Sequence, residues 1–422
     1  MVILAYLLSS LSLLLGVMFF VQAKPPPVGF ITLFFKILAT ALSPLWAVTG
    51  IVGAVLGWRY QSLGAMAIGL VGTLLMLVYL WRITRDHGEF GRAFGMGWAA
   101  SILPEQLRLM VKRRWSPYIR LKSATEPRWE RDMPFWTIPD SDRQLLCDIW
   151  SPGDGKASGL AFIFFHGSAW FVGNKDMMTR PMFRHLVAQG HVVMDVAYRL
   201  CPEVDIFGMI GDIKRSVAWM KSNASRYGVN PDKIVLAGGS AGGHLALLAA
   251  YSPDDPRLGA ADLKDTDLSV CGVVSYYGPV DMLAEYDRYM WKAYYSKVPP
   301  LPIGTMGQIK MSENLYVGRL DMLLGGHPQD VPEIYKLASP ISHVHAACPP
   351  TLLIQGDKDL LVPIEATREL YARLCEAGVP AINIVFPWTD HAFDLVVPQL
   401  NPPAQSALYN VDRFLALLLN KA

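Results

Sequence analysis

Charge is scarce in this chain of 422 residues: Asp, Glu, Lys and Arg make up 18% of it, against 52% hydrophobic residues. The formal net charge is only +2, so there is no basic field with which to hold a nucleic acid. Cysteine is scarce too. The five present (Cys147, Cys201, Cys271, Cys348 and Cys375) are scattered singly. No pair has CxxC spacing, which argues against a zinc site and a redox dithiol. Unclustered thiols of odd number point to a reducing compartment. Internal repeats and low-complexity tracts are lacking.

What is abundant is apolar sequence, and its excess lies before Arg82. Three runs are free of charge: Val2 to Ala23, Ile37 to Gly57 and Gln61 to Trp81. The second extends back towards Val28 if Lys36 is admitted. Each is long enough for a helix across a hydrocarbon core of about 30 Å. Trp46, Trp58, Tyr60, Tyr79 and Trp81 lie near the run ends, where amphipathic rings prefer to sit. The first run has no Lys or Arg ahead of its apolar core and is succeeded by further runs, unlike a cleaved secretory signal. Pro44 is expected to kink the second helix; a re-entrant hairpin there would make the number of crossings even. With three crossings, Lys24 shares a side with Arg82, Arg85, Arg92, Arg108, Lys112, Arg113 and Arg114. The excess of positive charge then puts the C-terminal three quarters of the chain on the cytoplasmic side. The expected organisation is a transmembrane region over 1–85, a juxtamembrane linker over 86–134 and a catalytic domain over 135–422. Phe94 to Trp115 mixes apolar residues with a basic end, as expected of an amphipathic helix on the membrane surface or of a packed linker helix.

Beyond Pro139 the pattern alternates. Short β-branched and aromatic runs are predicted strands: Leu145–Trp150, Leu160–Phe165, Val192–Val196, Ile234–Ala237, Val270–Tyr276, Thr351–Gln355 and Ile382–Phe386. Helical stretches separate several of them, among them Met177–Gln189, Ile210–Tyr227 and Ile364–Ala377. This predicts an α/β fold with a mostly parallel sheet and helices on both faces.

The chemistry-bearing motif is Gly238-Gly239-Ser240-Ala241-Gly242. It comes after an apolar strand and precedes the helix-like run His244–Tyr251, the context of a nucleophile elbow. A serine needs a base. His391, just after the last predicted strand, is the candidate; His343 and His345 are weaker because they lead into a strand. Asp359, after the preceding strand, is the candidate acid, with Asp357 as the other choice. The order Ser, acid, His is that of α/β hydrolases. Gly167, Ser168 and Ala241 are the candidate oxyanion-hole residues, their backbone N–H groups lying near the elbow. His166 is read as structural.

The segment His166–Asp176, HGSAWFVGNKD, resembles the HGG-x-W-x-x-G-x-K-D pattern of carboxylesterase and hormone-sensitive-lipase-like α/β hydrolases. Tyr198-Arg199-Leu200 with Pro202, Asn230–Ile234, Gly238–Gly243 and Gly356–Pro363 are similar to that family as well. The resemblance covers roughly Phe135 to the C-terminus. It implies an α/β-hydrolase fold, a Ser240–Asp359–His391 triad and hydrolysis of acyl esters with no metal or cofactor. One departure is Ser168, where the family usually has a second Gly, so the Ser168 hydroxyl is a further candidate donor. Residues 281–344 form a long insertion rich in aromatics (Tyr286, Tyr289, Trp291, Tyr294, Tyr295 and Tyr316), expected to cap the site over an apolar pocket. The expected function is a membrane-anchored serine esterase, its partners a small lipophilic ester and the lipid bilayer. The other readings are an amide or formamide hydrolase, an isoprenylcysteine methylesterase-like enzyme, an acyltransferase, and a non-catalytic receptor or scaffold on a hydrolase fold.

Overall fold

The computed structural model describes residues 1–22, 28–117, 126–288 and 320–420. Lys24, and most of the aromatics expected in the cap (Tyr289, Trp291, Tyr294, Tyr295 and Tyr316), lie outside them.

The apolar N-terminal sequence folds as α1 (Val2–Val17), α2 (Val28–Ala41), α3 (Ser43–Arg59) and α4 (Leu63–Ile83). Among the described residues, by length and composition alone, two stretches are apolar and long enough to cross a membrane, Val2–Phe20 and Leu63–Ile83. The pair α2 and α3 makes a third if it is one span, but it is bent by 79°. The second apolar run is therefore two helices rather than one kinked helix. Pro44 stands in the first turn of α3, where its missing N–H costs no helical hydrogen bond.

Small residues hold α1, α3 and α4 together. A Cβ on Gly50 would come within 2.9 Å of the Gly69 carbonyl oxygen, and one on Gly69 within 2.6 Å of the Gly50 carbonyl oxygen. Ser9 donates to the Ala65 carbonyl (2.8 Å) and Ser12 to the Trp46 carbonyl (2.9 Å). These contacts run α3 antiparallel to α1 and α4: Gly57 meets Met66 while Ala47 meets Thr73, and Gly53 meets Ser9 while Trp46 meets Ser12. The large side chains point outward instead: Ile3, Leu7, Leu14, Val48, Val55, Leu70 and Leu74 are all exposed.

Residues 90–117 are not one amphipathic helix. They form short turns and helices, Phe90–Phe94 and Pro104–Leu109 among them, broken where Gly95, Gly97 and Pro104 interrupt the chain. The segment packs on the C-terminal helix, with the Val111 N–H on Asp412 (2.7 Å) and Arg114 on Asn410 (2.9 Å).

The remaining chain builds an eight-stranded sheet in the order β1-β2-β4-β3-β5-β6-β7-β8. The strands are β1 (Arg128–Thr137), β2 (Gln144–Ser151), β3 (Ala161–Phe165), β4 (Val192–Val196), β5 (Ile234–Gly239), β6 (Gly272–Tyr276), β7 (Thr351–Gly356) and β8 (Ala381–Phe386). Pairing is antiparallel from β1 to β2 and from β2 to β4, and parallel from β4 to β8. The parallel strands are buried on both faces, which is why they read as unbroken apolar runs. Side-chain alternation assigns the faces. Ile163 and Phe165 join the core beneath α6 (Ile206–Ser222), α7 (Ala241–Tyr251) and α8 (Ile364–Glu376). Phe162 and Phe164 join the core beneath α5 (Arg180–Ala188) and α9 (Pro402–Asn420). That second core also takes in Leu15, Phe19, Tyr79 and Ile83, so the N-terminal helices pack into it.

Candidate active site

Every site residue expected from the sequence stands beyond the carboxyl end of a parallel strand, where backbone ends free side chains from the sheet. Ser240 comes directly after β5 and caps α7. Its φ of 54° and ψ of −122° are a conformation rare for a residue with a Cβ. The elbow depends on its glycines: a Cβ on Gly242 would overlap the Phe165 carbonyl, and one on Gly238 would collide with Gly242. Strand, turn and helix meet at that spacing only without side chains.

His391, after β8, places Nε2 3.0 Å from Ser240 Oγ. Its Nδ1 lies 3.0 Å from Asp359 Oδ2 and 3.2 Å from Oδ1. Asp359, after β7, is fixed in turn: its carboxylate accepts the N–H groups of Leu361 and Val362 (2.9 Å each) and the Gln355 amide (3.2 Å). Both side chains are buried. Burial pulls the His391 imidazole down, but the Asp359 carboxylate, aided by Asp390 and Glu285, outweighs it, and the net shift is upward. Asp357 does not reach His391; its carboxylate accepts the Trp388 N–H at 2.6 Å.

The other histidines are occupied elsewhere. His343 and His345 bond the backbone carbonyls of Leu337 and Tyr251. His244 bridges the Trp170 indole N–H and the Ala338 carbonyl. His166 stacks on Tyr198 with centroids 4.5 Å apart, and burial lowers its pKa to about 4. A neutral, stacked imidazole suits the structural reading.

Gly167, after β3, lies against the elbow: a Cβ there would come 2.9 Å from the Gly239 carbonyl oxygen and 3.3 Å from Ser240 Cβ. Ser168, Ala169 and Trp170 all have positive φ, 82°, 54° and 64°. Ser168 thus occupies a left-handed position that glycine fills more easily. Its hydroxyl turns to Met177 Sδ at 3.7 Å. Ala241 opens α7, where the first N–H groups have no partner within the helix.

Two residues near His391 carry no clear mark in the sequence. Tyr277, one residue past β6, stands 4.4 Å from the His391 ring between centroids, and its hydroxyl donates to Asp394 at 2.5 Å. Asp390, buried beside His391, accepts the His391 N–H at 2.8 Å and the Leu360 N–H at 2.7 Å through one oxygen. Its one sequence signal is adjacency to His391. Among the described residues, no group of three or more His, Cys, Asp or Glu is clustered as for a metal ion.

A family model described as BD-FAE matches residues 147–374. The chain is similar to the probable carboxylic ester hydrolase LipM of Mycobacterium tuberculosis, 33% identical over 59% of this chain and 53% of that protein. It is similar to Esterase LipQ of the same organism, 32% identical over 75% of this chain and 65% of that protein. The chain thus spans between about half and two thirds of the length of these curated relatives. Among solved structures, apo Thermogutta terrifontis esterase 2 matches at a TM-score of 0.53 and 24% identity, over 70% of this chain and 96% of that one. A truncated carbohydrate esterase from gut microbiota matches at 0.53 and 24%, over 72% and 100%. At that identity the likeness shows the fold alone, an α/β-hydrolase fold.

Proposed function

The chain belongs to the BD-FAE family, and from that premise we propose that it is a membrane-anchored serine carboxylic-ester hydrolase. The observation that carries this reading is the relay from Ser240 Oγ through His391 to Asp359, with both links at 3.0 Å. Its named relatives, LipM and LipQ, are described as a probable carboxylic ester hydrolase and an esterase.

In the proposed reaction His391 Nε2 takes the Ser240 proton as Oγ adds to the ester carbonyl carbon. The oxygen turned negative is met by the N–H groups of Ala241 and of the Gly167–Ser168 loop, each such donor being worth about 10²- to 10³-fold in rate. His391 then protonates the leaving alkoxide, and an acyl group remains on Ser240. Water, deprotonated by the same imidazole, releases the acid and restores the hydroxyl. Asp359 holds the tautomer with a proton on Nδ1 and offsets the charge of the imidazolium.

Lipophilic esters are the proposed substrate class, since helices anchored in a bilayer would hold the site where such esters gather. Support for anchoring comes from the inverted packing of α1, α3 and α4, with small and hydroxyl residues inside and large apolar ones outside, as suits helices in lipid. A three-crossing reading fits the antiparallel run of α3, with α2 lying across the end beside the catalytic half. The basic residues after α4 then argue for a cytoplasmic site.

A fluorophosphonate probe tests the nucleophile. Wild-type protein is expected to label and Ser240→Ala to lose both labelling and p-nitrophenyl ester turnover. Equal labelling of the two would refute the assignment.

A further inference from the structure

Lys36 is the one charged residue inside the second apolar stretch, and a lysine in such a helix needs a partner. It has one. Its Nζ lies 2.5 Å from Asp390 Oδ2, and the two side chains are only 3% and 1% exposed. The other oxygen of Asp390 accepts the N–H groups of His391 and Leu360. One carboxylate therefore ties the loop that carries His391 to the loop that carries Asp359, and a cation from α2 neutralises it.

The contact is not isolated. Leu33 packs with Leu360, flanked by Phe30, Ile37 and Leu361, so α2 lies along the loop just beyond Asp359. Tyr79 of α4 bonds the Thr389 hydroxyl at 3.0 Å. Phe19 and Phe20 flank the Trp388 ring, and the Arg82 guanidinium stands 4.4 Å from it. Helices α2 and α4 and the 3-10 turn that continues α1 (Met18–Phe20) thus grip Trp388, Thr389 and Asp390, the residues leading into His391. Burial pushes the Asp390 carboxyl upward and Lys36 opposes the shift; a carboxylate at this depth without its cation is costly.

We propose that Lys36 is a positioning residue: through Asp390 it holds Asp359 and His391 in register, so that the N-terminal helices form part of the catalytic unit as well as anchoring it. This rests on the Ser240–His391–Asp359 reading. A lost register weakens the relay after substrate has bound, so it acts on kcat. A displacement of about 1 Å costs on the order of 100-fold in rate.

The test is steady-state hydrolysis of p-nitrophenyl butyrate by the full chain in detergent micelles, with thermal melting recorded in parallel. Lys36→Met is expected to lower kcat about 10- to 100-fold with KM changed by less than about twofold, and Lys36→Arg to recover most of the loss. Should Lys36→Met fold poorly, Lys36→Met/Asp390→Leu removes both charges and leaves no stranded carboxylate. It is expected to melt near the wild type and still turn over slowly. Wild-type kcat in either folded variant overturns the proposal. So does a loss that tracks melting temperature and is not recovered by Lys36→Arg, since that is a role in folding alone. Ser240→Ala runs alongside: if it stays active, the triad reading falls and this inference with it; if it is inactive while Lys36→Met is unimpaired, only this inference falls.

Discussion

At the scale of single residues, the proposed role of His391 as the base fixes how activity should respond to pH. In that role His391 works as the neutral imidazole, and its net pKa shift is upward from the usual value of 6.5. Lowering the pH protonates His391 sooner than a free imidazole, so kcat/KM should fall on the acid side through an apparent pKa above 6.5. Asp359→Asn removes the nearest charge that raises it. The acid limb of the pH–rate profile should then move to lower pH, and kcat should drop by about 10⁴-fold through loss of the correct tautomer. An unmoved limb in that variant would show that Asp359 is not the charge felt by His391. Ser168 belongs to the same scale. The sequence leaves open whether its hydroxyl or its backbone serves the oxyanion; the left-handed φ of 82° and the turn of the hydroxyl to Met177 favour the backbone.

At the scale of elements, close approach decides which substitutions the bundle tolerates. Helices α3 and α4 meet at Gly50 and Gly69, where a Cβ on either would come within 3 Å of the other's carbonyl oxygen. Gly69→Leu should force them apart at about 1–3 kcal/mol, the usual cost of overpacking. Leu70→Ala, on the outward face, should be nearly neutral in micelles. Comparing the two melting curves checks this, and equal curves would argue against tight α3–α4 packing. The strands show what periodicity can reveal. Buried parallel strands such as Ala161–Phe165 and Val192–Val196 read plainly as apolar runs. The edge strand Arg128–Thr137 does not, because it is charged, holds Pro134 and carries two irregularities against β2. An edge strand has one free side, so its sequence need be neither apolar nor regular.

At the scale of the whole molecule, the N-terminal bundle and the catalytic half share a core rather than a tether. Phe19, Tyr79 and Ile83 stand in the same cluster as Phe162, Val274 and Phe414. On the proposed three-crossing reading, α1, α3 and α4 each cross once, and the start of α1 and the catalytic half then lie on opposite sides. A protease added outside intact cells should therefore leave the C-terminal tag of a doubly tagged chain intact and remove the tag ahead of α1. Loss of the C-terminal tag under those conditions would put the catalytic half outside.

The candidate site was largely legible in the sequence because an α/β hydrolase sets its reactive side chains at strand ends in a fixed chain order. Ser240, Asp359 and His391 each come after an apolar run, and steric need writes glycine on both sides of Ser240. That kind of signal is local. The support beneath the site is not: Lys36 and Asp390 are 354 positions apart, and neither residue announces the other. A lone lysine in an apolar run reads as a blemish in a span. Tertiary structure alone decided that the run breaks into two helices bent by 79°. It alone turned α2 onto the loop just beyond Asp359 and gave the lysine a buried carboxylate beside His391. Local pattern determines elements and strand-end residues; a buried pair depends on which surfaces meet, and that is settled only when the chain packs.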